Sequence, residues 1–349
     1  MENNTEGQQP DFDGEFFGIT PDGKKIGSYK LYNSNGMEVT VINYGATITS
    51  LKVPAKHGIT DVVLGFDNID AYIRSHDLPA PPYFGTVAGR YAGRIENGRF
   101  KIDDKEHVLN VNNNGHTLHG GPEGFDRKFW EVRKFVKKPE MSITLGYVSP
   151  DGEEGFPGEM DVNVTYTLTD DNEVLIDYDA RCTKDTIINL TQHSYFNLEG
   201  HTKDLTEQEL LINSSILLEI DDQNIPSGKI ISAAEKQFDF SHGGKCPTGI
   251  DDSFVIADPS SPAATLTSKK NGLQLTVTSD QRCLHIYVGG STFGVVKGKE
   301  NVDYHMCSGI CFESQNFPDA PNHANFPSAI LRSGETYTQK TKWKFESIN

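Results

Sequence analysis

The fold class follows first from residues 161–182, which read DVNVTYTLTDDNEVLIDYDARC. Valine, isoleucine, threonine and tyrosine are frequent on both sides of a short acidic run, and many of them alternate with polar residues. Such a period of two favours strands, and Asp170–Asn172 supplies a turn between them. The stretch therefore predicts two neighbouring strands, Asp161–Thr167 and Val174–Cys182.

The same kind of pattern recurs along the rest of the chain. Further strands are predicted at Ser28–Asn33, Glu38–Ile42, Thr47–Val53, Gly98–Ile102, His107–Val111, Trp130–Val136, Ser142–Val148, Thr186–Asn197, Glu209–Ile220, Leu273–Thr278, Leu284–Val288, Gly309–Ser314 and Lys342–Ser347. Helical patterns cover only Asp67–Arg74 and Thr206–Leu211, and the second merges into a strand-like run. With 33 glycines and 17 prolines, this profile predicts an all-β sandwich or barrel with very few helices.

Composition narrows the class of ligand. The 349 residues include 49 acidic and 32 basic side chains, for a net charge of -17. Nucleic-acid binding is not expected, because neutralising phosphates requires clustered lysine and arginine. A neutral ligand needs no such electrostatic attraction.

Cysteine content and hydropathy bear on the compartment. There are five cysteines, an odd number without a C-x-x-C pair, and the N-terminus lacks the apolar run of a secretion signal. No uninterrupted apolar run approaches the ~18 residues that a membrane helix needs. We expect a cytoplasmic protein with free thiols, a polar disordered tail at residues 1–13 and one domain at residues 14–349.

The first candidate for chemistry is Glu313, in GICFESQNFPDAPN at residues 309–322. In a strand, Ile310 and Phe312 would face one side, and Cys311, Glu313 and Gln315 the other. An acid in an apolar run is paired, exposed on an outer face or kept for chemistry. The polar residues that follow are typical of a site for sugar hydroxyls.

A second candidate is His193, in TQHSYFNL at residues 191–198. Alternation puts His193 on one face with Tyr195. A histidine with a pKa near ~6.5 can gain and lose a proton at neutral pH, so His193 is a candidate proton donor. The alternative is a structural histidine that is hydrogen-bonded within the fold.

Glycine-rich segments carry further candidates. NGHTLHGG, residues 114–121, contains His116 and His119, which suit ligand hydrogen bonds better than zinc because two more ligands at a suitable spacing are missing nearby. FGTVAGRYAGRI, residues 84–95, contains Arg90 and Arg94 between glycines that allow close backbone approach. Each arginine can bind ligand oxygens or be buried for structural reasons.

Two later segments remain ambiguous from the residues alone. GIDDSFV, residues 249–255, contains Asp251 and Asp252, which suit a turn or, for Asp252, the binding of neighbouring hydroxyls. LHIYVGG, residues 284–290, puts His285 and Tyr287 on one face. Nucleotide-binding and serine- or cysteine-nucleophile motifs are missing from the sequence.

Taken in order, six motifs resemble the aldose 1-epimerase (galactose mutarotase) family. They are FGTVAGRYAGRI, LHGGPEGFDRKFW (118–130), DGEEGFPGEMDVNVTYTL (151–168), TQHSYFNLEGH (191–201), GIDDSFV and GICFESQNFPDAPN. The resemblance extends from about Gly18 to the C-terminus. It implies a large antiparallel β-sandwich with a sugar cleft across one sheet. It also implies interconversion of the α and β anomers of free aldohexoses such as galactose and glucose, without a cofactor or a metal.

The resemblance also assigns residues. Glu313 matches the family's catalytic base and His193 its catalytic acid. Sugar-binding positions match Arg94, His119 and Asp252, with Tyr195 in the acid's motif and His285 where the family often has glutamine. Gly93 stands where the family usually has asparagine, so one amide contact is expected to be missing. A monomer or weak homodimer, acting on a monosaccharide without nucleic acid or membrane partners, is the expected state.

Three alternative functions remain. A glycosidase would use Glu313 and Asp252 as its two carboxylates. An epimerase of sugar phosphates would need clustered arginine or lysine. A non-catalytic sugar-binding module would not need both Glu313 and His193.

Overall fold

The computed structural model describes residues 14–290, 292 and 294–348. The predicted tail therefore lies outside the described residues. Within them, the strands up to Cys182 are β1 (Glu15–Ile19), β2 (Lys25–Tyr32), β3 (Glu38–Ile42), β4 (Thr47–Ala55), β5 (Gly58–Asp61), β6 (Val87–Ala88), β7 (Arg94–Ile95), β8 (Arg99–Ile102), β9 (Lys105–Val108), β10 (Thr117–Leu118), β11 (Glu131–Val136), β12 (Met141–Ser149), β13 (Met160–Leu168) and β14 (Glu173–Cys182).

The described strands beyond Cys182 are β15 (Thr186–Ile187), β16 (Thr191–Gln192), β17 (Tyr195–Phe196), β18 (Glu209–Ile212), β19 (Ile216–Ile220), β20 (Pro226–Ser232), β21 (Gly244–Lys245), β22 (Ile250–Val255), β23 (Ala264–Ser268), β24 (Leu273–Ser279), β25 (Cys283–Val288), β26 (Ile310–Gln315), β27 (Ile330–Leu331) and β28 (Tyr337–Ser347). The α-helix is α1 (Ile69–Ser75). Short 3₁₀ turns occupy Glu96–Gly98, Phe125–Arg127, Glu153–Gly155, Ala233–Lys236, Lys299–Asn301 and Ala320–Asn322.

Three antiparallel sheets form the body of the fold. They have the strand orders β1-β2-β3-β4-β5, β11-β12-β13-β14-β28-β24-β23-β18-β21 and β17-β26-β25-β22-β19-β20. One hydrophobic cluster draws on all three, with Ile48 from the first, Val164 from the second and Phe312 from the third. Burial of each such side chain contributes ~1.5–3 kcal/mol, which makes this shared core the main stabilising element. The predicted antiparallel β-sandwich is confirmed.

The hairpin predicted in residues 161–182 is present. β13 pairs with β14 so that Val164 faces Tyr178 in register. Val164 and Tyr166 are buried in the core while the intervening Thr165 is only half-buried. In the turn, the Thr169 hydroxyl accepts hydrogen bonds from the amides of Asp171 and Glu173 (both 3.2 Å). Alternation and turn chemistry thus act together, as the sequence indicates.

The helix predicted at Asp67–Arg74 is α1, shifted by one or two residues. Asn68 caps its first turn, because the side-chain oxygen accepts a hydrogen bond from the Ala71 amide (2.9 Å). Among the described residues, no helix is long and apolar enough to cross a membrane.

Three predicted elements are wrong. Glu209–Ile220 is not one strand, because β18 and β19 belong to different sheets. Thr206–Leu211 is not a helix: it leads into β18, which pairs with β23 and buries Leu210 and Ile212. Thr186–Asn197 is not one strand, because β15, β16 and β17 pair with three different partners, β27, β6 and β26. Tertiary pairing overrides the local pattern in all three cases.

Candidate active site

A cleft opens over the third sheet. Its polar lining comprises Tyr83, Arg94, Asn113, His119, His193, Tyr195, Asn224, Asp251, Ser253, His285, Tyr287, Glu313 and Gln315, and Gly93 contributes backbone. Its apolar lining comprises Ala80, Pro81, Leu118, Ile220, Pro226 and Pro318. A concave site with a few convergent polar groups is typical of small-molecule binding.

The register of three neighbouring strands determines which side chains form the floor of this cleft. β22, β25 and β26 lie side by side, so that Ser253, His285 and Glu313 stand in one cross-strand row. Ile310 and Phe312 point into the core, whereas Glu313 and Gln315 line the cleft. The alternation predicted for residues 310–315 is present. One-residue slippage of β26 would bury Glu313 in the core instead.

An imidazole–carboxylate pair occupies the floor. Nε2 of His193 lies 3.4 Å from Oε1 of Glu313, and both side chains are at most 3% exposed. Burial lowers the pKa of His193, and the nearby charge of Glu313 opposes that effect. Within the part of the chain that the structure describes, Oε2 of Glu313 has no hydrogen-bond partner. A buried acceptor without a partner is a place for a ligand hydroxyl.

His119 stands beside this pair with its ring centroid 5.3 Å from that of His193. The Gly93 amide donates a hydrogen bond to Nδ1 of His119 (3.2 Å), so neutral His119 carries its proton on Nε2. Burial, with the charges of His193 and Arg94 adding, lowers the pKa of His119 well below its ordinary value and keeps the ring neutral. His119 is therefore a hydrogen-bond donor to an oxygen in the cleft.

The same tautomer bears on metal binding. Ligand atoms of His119, His193 and Glu313 lie within 4.8 Å of one another, a spacing that a divalent cation could use. Coordination through Nε2 of His119, however, would require loss of the proton that the Gly93 hydrogen bond places there. The residues present therefore fit an oxygen-bearing organic ligand better than a metal ion.

A second carboxylate–imidazole pair forms one wall. Asp251 lies 3.0 Å from Nε2 of His285, whose Nδ1 contacts the Ser253 hydroxyl (2.9 Å). Burial alone would lower the pKa of His285, but the hydrogen bond with Asp251 and the charge of Glu313 raise it. Burial alone would raise the pKa of Asp251, but His285 and Arg94 lower it. Both groups of this pair thus favour their charged forms.

Asp252, predicted to bind sugar, does not face the cleft. Its carboxylate accepts a hydrogen bond from Lys236 (2.6 Å), and Asp251 lines the cleft in its place. Neighbouring strand residues point to opposite faces, and Asp252 shares its face with Ile250 and Phe254, which belong to the core. That apolar alternation was available in the sequence and would have identified Asp251.

The other predicted residues fall into two groups. Arg94, Tyr195 and His285 line the cleft together with His119, His193 and Glu313. Arg90 instead is buried, and its guanidinium donates to the carbonyls of Pro157 (3.0 Å) and Gly158 (2.8 Å), which is the structural alternative.

Gly93, the predicted departure, has a left-handed φ of 79°. A Cβ there would lie 3.1 Å from Cβ of Pro318, so a side chain at this position would be strained and crowded.

Several cleft residues were missed from sequence, including Asn113, Asn224 and Ser253. Asn113 accepts a hydrogen bond from Nε of Arg94 (3.2 Å), and Asn224 donates one to Asp251 (2.8 Å). Asparagine is common in turns, so its presence in these loops gave no separate signal.

A β-sandwich with a buried imidazole–carboxylate pair in an open polar cleft fits an enzyme of the epimerase class. The sequence profile described as Aldose 1-epimerase matches residues 27–344. The chain belongs to the aldose 1-epimerase family.

Relatives support this membership over most of the chain. It is 38% identical to galactose mutarotase of Bos taurus over 324 residues, covering 89% of this chain and 92% of that protein. It is 36% identical to aldose 1-epimerase of Haemophilus influenzae over 342 residues, covering 93% and 97%. A crystal structure of an aldose epimerase homologue from C. elegans superposes with a TM-score of 0.85 at 31% identity, covering 93% of this chain and all of that one.

Proposed function

We propose that this chain interconverts the α and β anomers of free aldohexoses such as D-galactose and D-glucose by opening and reclosing the sugar ring. The observation that carries the proposal is the contact between His193 and Glu313 (3.4 Å) on the floor of the cleft. Ring opening needs a base for the anomeric hydroxyl and an acid for the ring oxygen. Glu313 is the base and His193 the acid.

The chemistry proceeds in balanced steps. Glu313 takes the proton from the hydroxyl on C1, the C1–O5 bond breaks, and O5 takes a proton from His193. The aldehyde then rotates about the C1–C2 bond and recloses on its other face. In closure, His193 accepts a proton from the C5 hydroxyl while Glu313 returns one to the oxygen on C1. Acid and base are both restored, so no cofactor is consumed.

The short distance within the pair limits how the sugar can lie. At 3.4 Å, the carboxylate and the imidazole leave no room for a pyranose ring between them. The sugar need not lie between the two groups, because the two oxygens that exchange protons, O5 and the hydroxyl oxygen on C1, are bonded to the same carbon. A side-by-side acid and base can therefore reach both from one edge of the sugar.

Other cleft residues bind and orient the sugar. His119 donates from Nε2, the guanidinium of Arg94 donates to hydroxyl oxygens, and Asp251 accepts from hydroxyl groups. Tyr195 and His285 form the adjoining wall. Burial makes His193 a stronger acid than a solvated histidine, which favours proton delivery to the ring oxygen.

The alternatives are weaker. A glycosidase would need a second free carboxylate beside Glu313, but Asp252 is bonded to Lys236 outside the cleft lining and Asp251 is paired with His285. A phosphate-binding site would need surplus positive charge, yet Arg94 and His285 both face Asp251. We retain as predictions a monomer or weak homodimer and a cytoplasmic location.

The test is polarimetry on freshly dissolved α-D-galactose and α-D-glucose. The wild-type protein is expected to accelerate mutarotation, and Glu313→Gln, which keeps the shape and removes the base, should lose ~10²–10⁴-fold in kcat. Glu173→Gln, an exchange of the same kind far from the cleft, serves as the matched control. Wild-type rates in Glu313→Gln would refute the assignment.

A further inference from the structure

His116, which the sequence singled out and the cleft lining does not include, lies at the centre of a ring of contacts around the cleft mouth. Its ring is 5% exposed although the neighbouring Asn114 and Gly115 are exposed. The Asn97 amide donates to Nδ1 (3.0 Å), so the neutral ring has its proton on Nε2. Nε2 in turn donates to Oε1 of Gln223 (2.8 Å).

On one side of this hydrogen bond is the turn at residues 113–116. The His116 amide donates to the Asn113 carbonyl (2.8 Å), and the Asn113 amide donates back to the His116 carbonyl (3.1 Å). The Asn113 side chain accepts from Nε of Arg94 (3.2 Å). A shift of His116 would therefore move this four-residue turn, and with it the Asn113 side chain that holds the sugar-binding Arg94.

On the other side is the turn at residues 221–225, between β19 and β20. The Asp221 carboxylate accepts from the amides of Gln223 (2.9 Å) and Ile225 (3.0 Å), which makes this turn rigid. Asn224 has a left-handed φ of 60° and donates from its side chain to Asp251 (2.8 Å). Because Gln223 and Asn224 are adjacent in this rigid turn, a hydrogen bond that holds Gln223 in place also holds Asn224 in place.

Arg94 and Asp251 close the ring of contacts. Their charged groups lie 4.0 Å apart across the cleft, and each is held by one asparagine of the two turns. Because the turns belong to distant parts of the chain, the His116–Gln223 hydrogen bond is a second link, besides the Arg94–Asp251 contact, between the two walls.

We propose that His116 and Gln223 are positioning residues for sugar binding, whose hydrogen bond sets the spacing of Arg94 and Asp251 in the cleft. This inference rests on the proposed function for its substrate. Neither residue is among those that line the floor with His193 and Glu313, so the coupling acts on the affinity for the sugar and leaves the proton transfers unchanged.

The test uses Gln223→Ala, because Gln223 is exposed and its loss leaves the core intact. A hydrogen bond contributes ~0.5–1.5 kcal/mol, so KM for α-D-galactose should rise about 2- to 10-fold. We expect kcat to stay within about twofold, the pattern of lost binding that is equal in ground and transition states. Ligand-observed NMR titration should give the same fold-change in Kd without turnover.

Two matched variants complete the design. Gln223→Glu keeps an acceptor for Nε2 of His116 and should restore KM, whereas Asp222→Ala, an exposed neighbour in the same turn, should match the wild type. An unchanged KM in Gln223→Ala, a loss confined to kcat, or failure of Gln223→Glu to rescue would each overturn the inference. A wild-type protein that binds galactose without mutarotation refutes the proposed function alone, and the Kd series still tests the positioning role. If it binds no galactose, both are refuted.

Discussion

Two buried imidazole–carboxylate pairs of this protein have nearly the same spacing but different charge states. His193 and Glu313 are 3.4 Å apart on the cleft floor, and His76 at the end of α1 is 3.2 Å from Asp126 in the 3₁₀ turn Phe125–Arg127. All four side chains are at most 3% exposed. The pair of residue types alone therefore does not determine the chemistry.

The charge states separate the two pairs. Burial, with Arg127 adding, lowers the pKa of His76 to about 3, and burial raises the pKa of Asp126 to about 7. A protonated Asp126 offers no negative charge to keep a proton on His76. For His193, the charge of Glu313 opposes the effect of burial. Neighbouring charge, rather than proximity alone, therefore makes such a pair suitable for proton transfer.

The largest expected difference between the pairs is in turnover. His193→Asn removes the acid and should lower kcat by ~10²–10⁴-fold. His76→Asn removes the equivalent member of the His76–Asp126 pair and should leave kcat near the wild-type value while lowering the melting temperature. Polarimetric initial rates and thermal unfolding measure both. Equal losses of kcat in the two variants would show that the comparison is wrong.

The next largest effect concerns the contribution of Asp126, in the His76–Asp126 pair, to the free energy of unfolding. The raised pKa of Asp126 means that its contribution to folding is complete below its ordinary pKa of 3.8 and is lost as the pH rises to about 7. Asp126→Asn keeps a neutral group, so its advantage over the wild type should grow between pH 4 and 7 to ~2–4 kcal/mol.

Urea unfolding at several pH values measures this advantage. His76 titrates in both proteins, so the difference between them isolates Asp126. A difference that does not depend on pH would contradict a protonated carboxyl in this pair.

A smaller effect distinguishes two adjacent carboxylates near the cleft. Asp251→Asn should raise KM for α-D-galactose about tenfold, the loss of one hydrogen bond to a charged group. Asp252→Asn should leave KM unchanged and instead weaken the contact with Lys236. Steady-state kinetics of the two variants decide between them. A larger KM in Asp252→Asn would reinstate the assignment made from the sequence.

The smallest effect is the pH dependence of binding through His285. Its raised pKa keeps it protonated and paired with Asp251 at lower pH, and this charge is lost as the pH rises through that pKa. KM should then rise about 2- to 5-fold, because a charge-assisted hydrogen bond becomes a weaker one. His285→Gln should show a flat KM over the same range. A pH-dependent KM in that variant would exclude His285 as the cause.

Sequence predicts the parts of this architecture that depend on local alternation. The hairpin in residues 161–182, helix α1 and the orientation of Glu313 and Gln315 toward one face all follow from period and turn chemistry. The choice between Asp251 and Asp252 failed because the strand Ile250–Val255 was interpreted as a turn. The contact between His193 and Glu313 depends on the register of distant strands, which a single sequence does not specify.

Arg94, His193 and Glu313 come from three widely separated parts of the chain and meet only when β26 has joined its sheet. Contacts between distant residues form slowly during folding, because the chain must first be closed into large loops. A partly folded chain with only its hairpins formed would have secondary structure and no complete site. The return of mutarotase activity during refolding would thus report the last step of assembly, after the circular dichroism signal of the secondary structure has already recovered.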